Sequence, residues 1–103
     1  MGTMVEEGIL IQVRGIDFED KQQSGKRVQG VKIVLARPSH DPEFEGEGFV
    51  PFDLADYSPI GLRLLGKLQD EARDLYLQPV LVTCETIRTG KFTKYLPRSI
   101  SVA

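Results

Sequence analysis

Residues 79–102, PVLVTCETIRTGKFTKYLPRSISV, read as a strand, a tight basic turn and a second strand. Val80, Val82 and Cys84 alternate with Leu81, Thr83 and Glu85, the period of two of a strand with one buried face. Thr89-Gly90 supplies the positive-φ position that a tight hairpin requires. Phe92-Thr93-Lys94-Tyr95-Leu96 resumes β-favouring residues, and Pro97, with no N–H to donate, is expected to interrupt the ladder. The tip gathers Arg88, Lys91 and Lys94 beside Phe92 and Tyr95. Cations interleaved with aromatics suit a phosphate backbone carrying splayed bases, and equally suit a solvated turn beside core aromatics.

Upstream, residues 8–18, GILIQVRGIDF, form a first strand with Ile9, Ile11 and Val13 on one face and Gln12 and Arg14 on the other. Residues 19–25, EDKQQSG, are polar and end in Ser-Gly, which marks a loop. Residues 26–37, KRVQGVKIVLAR, are a second strand, interrupted by Gly30 and carrying Val31, Ile33 and Leu35 on its buried face. Residues 49–54, FVPFDL, make a short third strand that Pro51 assigns to an edge or bulge. Ser58-Pro59 is a helix start, an N-cap followed by proline at the first helical position. Leu64 or Leu65, Leu68, Ala72 and Leu75 then recur at helical spacing, and Gly61 and Gly66 weaken the first turns, so the firm helix is expected over 62–75.

The expected fold class is therefore mainly β: an OB-type five-stranded antiparallel barrel with one helix between strands 3 and 4. One domain spans residues 1–103, with 1–7 disordered and 38–48 a mobile acidic loop. At 41% hydrophobic and 27% charged residues, the composition is that of a globular domain with no tract fit to span a membrane. A single cysteine cannot form an internal disulfide, which fits a reducing, cytoplasmic setting.

The net charge of −2 argues against a strong nucleic-acid binder, but the distribution does not. Residues 38–57 hold six acids and no lysine or arginine, whereas residues 78–103 hold four basic residues and one acid, Glu85. A local field matters more to a ligand than the sum.

Catalysis finds little support. His40 is the only histidine and sits in a proline- and acid-rich loop with no partner at a recognisable spacing. Cys84 occupies an apolar strand position, where a thiol behaves as a small hydrophobe. Asp41, Glu43, Glu45 and Glu47 lack the glycine and ligand pattern of a calcium loop, and no dinucleotide or phosphate-loop motif is present. No metal, cofactor or enzymatic activity is expected.

Binding rests on two basic segments. The first is Lys26-Arg27 at the end of the long loop, flanked by Lys21 and Lys32; the second is the 88–95 hairpin. If a barrel forms and brings the hairpins to one groove, Lys21, Lys26, Arg27, Lys32, Arg88, Lys91 and Lys94 track phosphates, with Arg14 on the polar face of the first strand. Phe18, Tyr57, Phe92 and Tyr95 are the candidate stacking platforms. Tyr95 is the better of the last two, because Phe92 shares a face with Leu96 and suits the core.

Both hairpins resemble those of the filamentous-phage (gene V-type) single-stranded-DNA-binding proteins and related helix-destabilising proteins of phages and mobile elements. Ser24-Gly25-Lys26-Arg27 resembles their basic Gly-Lys segment after a flexible wing. Ile87-Arg88-Thr89-Gly90-Lys91-Phe92 is similar to their C-terminal basic-x-Gly-polar-Phe turn. The acidic 38–48 loop and the long 58–77 segment depart from the smallest members, and the wing here lacks aromatics. The resemblance implies an OB-type barrel, a homodimer and non-sequence-specific binding of single-stranded DNA, with RNA also open, in DNA replication. It places Lys26 and Arg27 in a DNA-binding wing and residues 88–92 near a two-fold axis. The other reading is a small protein–protein adaptor or inhibitor that uses a strand edge or the acidic loop.

Overall fold

In the computed structural model of the chain, the described residues are 2–38 and 48–103. The alternation in residues 80–84 forms as expected: Val80, Val82 and Cys84 are buried on β4 (Pro79–Thr89). Gly90, at φ +60°, turns the chain into β5 (Phe92–Val102), which pairs antiparallel with β4. The ladder does not stop at Pro97. Pro97 pairs with Cys84 and Ser99 with Thr83, so Arg98 is an extra residue bulged out of β5. A bulge is a position where a strand tolerates a residue without an N–H, which is why β5 runs on to Val102.

The first strand is longer than expected. β1 (Gly2–Glu19) pairs along Gly2–Ile9 with β4 and along Ile9–Glu19 with β2 (Arg27–Pro38). The expectation of disorder is corrected for residues 2–7 of the 1–7 stretch, Met1 lying outside the described residues: Gly2–Glu7 pair with Leu81–Thr86 and give the inner edge of β4 a partner. Strand pairing, not burial, holds this largely exposed stretch, in which Met4 and Val5 stand side by side, so no hydrophobic period announces it.

The change of partner coincides with a second bulge. Leu10 faces Leu35 and Gln12 faces Val34, leaving Ile11 as the extra residue. The bulge also shifts the phase of the strand. Leu10 and Val13 are buried while Ile11 is 44% exposed, which corrects the expected Ile9–Ile11–Val13 face. On β2, Val31, Ile33 and Leu35 are buried as their spacing predicts.

Among the described residues β3 (Phe49–Asp56) pairs only with β2, giving one five-stranded antiparallel sheet in the order β3-β2-β1-β4-β5. Pro51 lies, as expected, on an edge strand. The helix α1 (Pro59–Ala72) starts at Ser58, whose hydroxyl accepts from the Gly61 N–H at 3.4 Å, with proline in the first turn. It begins a turn earlier than the expected firm helix and ends earlier, at Ala72. Leu68 and Ala72 are fully buried in a core with Leu10, Ile33, Leu35, Leu54, Val80 and Val82.

The five antiparallel strands and single helix are as expected, but among the described residues the sheet is not closed into a barrel. β3 and β5 are its two edges, and each contains a proline, a residue that sheets tolerate on edge strands and at bulges. The edges are joined instead by side chains. Arg98 Nη1 donates to Asp56 Oδ2 at 2.7 Å, and Arg98 Nε donates to Glu85 Oε2 at 2.7 Å. The acidic 38–48 loop, with His40, falls within 39–47 for all but its end residues and so lies outside the described residues.

Candidate nucleic-acid interface

Antiparallel register decides which of the candidate residues meet. Arg14 on β1 lies opposite Lys32 on β2, and Lys32 lies opposite Ala55 on β3. Lys32 Nζ reaches diagonally to Asp53 Oδ2 at 2.9 Å. Phe18, near the end of β1, meets Tyr57, just beyond β3, edge to face with ring centroids 6.4 Å apart. Both rings remain about half exposed, Phe18 at 49% and Tyr57 at 55%. Aromatic rings left this open have not been recruited to the core.

Tyr57 stands where three depressions converge. The first, about 330 Å³, lies over Arg14, Phe18 and Lys32. The second, about 440 Å³, is bounded by Lys26, Arg27 and the start of α1. The third and largest, about 750 Å³, fills the open seam between β3 and the β4–β5 hairpin and includes Lys94 and Tyr95. Seven of the twelve candidate residues thus share a surface centred on an eighth, Tyr57. Lys21, in the β1–β2 loop, and Arg88, Lys91 and Phe92, at the β4–β5 tip, line none of the three.

Charge on this surface divides into paired and unpaired groups. Arg27 is spent locally on Asp17, 2.7 Å away, an exposed pair worth little to stability. Among the described residues Arg14, Lys21, Lys26, Arg88, Lys91 and Lys94 form no ion pair, and of the cations only Arg63 joins them. Arg37, which extends the same basic run in the sequence, is withdrawn: it pairs with Glu6, donates to the Glu7 carbonyl at 2.9 Å and stacks 3.8 Å over the Phe52 ring.

The structure reverses the expected burial of the two hairpin aromatics. Phe92 is 75% exposed, whereas Tyr95 is partly buried and packs against the core while lining the seam. Phe92 sits opposite Thr89 at the last pair before the turn, beyond the reach of the core.

Sequence reading missed the group beneath the seam. Asp56 is the one buried charged residue among those described, at 2% exposure, and Arg98 holds it together with Glu85. Burial by itself would lower the Arg98 pKa, but the hydrogen bonds to Asp56 and Glu85 and the negative charges of both together outweigh it and raise the value. Nothing in the local sequence signals this triad, because residues 56 and 98 meet only when the sheet curls.

Among the described residues, no three His, Cys, Asp or Glu side chains are grouped to hold a metal, and no helix is long and apolar enough to cross a membrane. Comparison with family models, with curated proteins and with solved structures returns no match. The fold and surface define a mainly β protein with one open antiparallel sheet, one helix and a mixed aromatic–cationic face.

Proposed function

We propose that this protein binds single-stranded nucleic acid, DNA before RNA, without sequence specificity and without catalysis. The observation that carries the reading is the convergence on Tyr57. Two half-exposed rings stand in contact, and cations that form no ion pair among the described residues, Lys26 and Lys94, lie to either side, on the β1–β2 and β4–β5 hairpins. Stacking platforms flanked by phosphate-tracking cations are what non-specific single-strand recognition requires. The strand order supports an OB-type barrel opened at one seam, since β3 and β5 face one another through Asp56 and Arg98. The homodimer and the role in DNA replication come from the hairpin resemblance; the exposure of Phe92 at the tip supports the dimer.

The test is a titration with fluorescent oligo-dT, oligo-U and duplex at low salt, repeated at rising salt. Six phosphate contacts to a single strand predict a log–log slope of about −4. Charge reversal at Lys26/Arg27 or at Arg88/Lys91 should weaken binding of every sequence alike. No binding at low salt by folded protein would eliminate the reading. A second reading, strand addition by a peptide partner, is favoured by the two unpaired edges, β3 and β5. It predicts indifference to oligonucleotides.

A further inference from the structure

We propose that the open seam between β3 and β5 is a nucleobase subsite, selective for bases that present an exocyclic amino group. The inference rests on the single-strand reading above and adds a preference to it. At about 750 Å³ the seam lies within the range of small-molecule sites. Its walls are apolar and aromatic: Tyr57 just beyond β3, Tyr95 and Leu96 on β5, with Ile60 of α1 and Ile87 of β4 also lining it. A flat ring with an apolar face matches such walls.

Its polar groups exclude a phosphate. Asp53, Asp56 and Glu85 all line the seam, and Arg98, the cation among them, is already committed to two of these carboxylates. Lys94 is the one seam cation without an ion pair among the described residues. The backbone therefore belongs on the flanking cations, and the seam receives what hangs from it.

Glu85 supplies the selectivity. Its Oε2 accepts from Arg98 Nε at 2.7 Å, its side chain is 44% exposed, and Oε1 has no protein donor among the described residues. A carboxylate oxygen held in place by an arginine and open to a groove is an acceptor awaiting a donor. Cytosine and adenine offer an amino N–H, and guanine offers N1–H beside its amino group. Thymine and uracil offer only N3–H, flanked by two carbonyl oxygens whose lone pairs repel the carboxylate. The same pairing logic makes acidic side chains acceptors for the cytosine amino group in duplex recognition.

The test compares fluorescein-labelled oligo-dC and oligo-dT at low salt and neutral pH, on wild type and on Glu85→Gln. Wild type should bind oligo-dC about tenfold more tightly. Glu85→Gln should bring the ratio near one while tightening both, since it removes a negative charge from a surface facing a polyanion. A merely structural role for Glu85 would weaken both and leave the ratio intact. An oligo-dC carrying N4,N4-dimethylcytosine, titrated against wild type, removes the donor without altering the protein and should bind like oligo-dT. Equal affinities for oligo-dC and oligo-dT, or a ratio that survives either change, would overturn the subsite and leave single-strand binding standing. Failure of every oligonucleotide to bind would remove both.

Discussion

Asp56 is met from two sides by glycines whose roles are invisible in their own elements. A Cβ on Gly30 of β2 would sit 1.9 Å from the Asp56 carbonyl oxygen, and one on Gly61 of α1 would sit 2.3 Å from it. Gly30 does not interrupt its strand, and Gly61 is not a weak first turn: both let the β3–α1 corner approach. Gly66, in the same helix, would meet nothing within 4 Å. Gly61→Ala should therefore destabilise by about 2 kcal/mol or more through overpacking. Gly66→Ala should stabilise by up to about 1 kcal/mol through helix propensity. Urea denaturation of the two variants separates the cases by sign. Cys84 is a second residue whose surroundings decide its chemistry. Burial pushes its thiol up to about 11 from 9.0, and the negative charge of Glu6 adds to the shift. With the folded value raised, the native state keeps the proton while the unfolded chain loses it. The stabilisation is whole below pH 9 and is lost as pH rises through about 11. Cys84→Ala should remove that share of the alkaline loss, read as the difference between the two denaturation series. Native Cys84 should also resist thiol reagents until unfolding exposes it.

The β4–β5 hairpin carries two aromatic residues three positions apart with opposite environments. Tyr95, opposite Thr86, reaches the core; Phe92, opposite Thr89, projects from the tip. Phe92→Ala should change the unfolding free energy by less than about 0.5 kcal/mol, as exposed positions do. If the tip touches nucleic acid, the same change should weaken oligo-dT binding by about 1–3 kcal/mol, the worth of one base–aromatic stack. Tyr95→Ala should cost stability first. Denaturation and titration run in parallel on both variants distinguish a stacking residue from a packing one. The hairpin was the most legible part of the chain, because alternation and a Thr-Gly turn act over a few residues. The bulge at Arg98 was not legible, since Pro97 reads as a stop unless the partner strand is known to be offset by one residue.

Across the whole molecule, the sheet depends on a segment that looked dispensable. Gly2–Glu7 pair with β4, and Glu6 holds Arg37. Removing residues 2–7 strips a partner from the inner strand of the sheet and leaves an unpaired edge. The truncated chain should show a lowered urea midpoint and concentration-dependent association in sedimentation, as open strand edges do. An unchanged midpoint would show that the pairing contributes nothing. Local signals were sufficient to find the helix to within a turn, to put Val31, Ile33 and Leu35 or Val80, Val82 and Cys84 on buried faces, and to limit β3 to an edge or bulge through Pro51. These signals are local, carried by side-chain alternation, capping and the missing proline donor. Tertiary structure alone decided the rest. The bulges reset the phase of β1 and extended β5, and register brought Phe18 to Tyr57 and Arg14 to Lys32. Curling carried Arg98 to Asp56 across a seam that no ladder closes. Each of these depends on how distant strands are offset, and a chain read residue by residue contains no record of offset until its strands have paired.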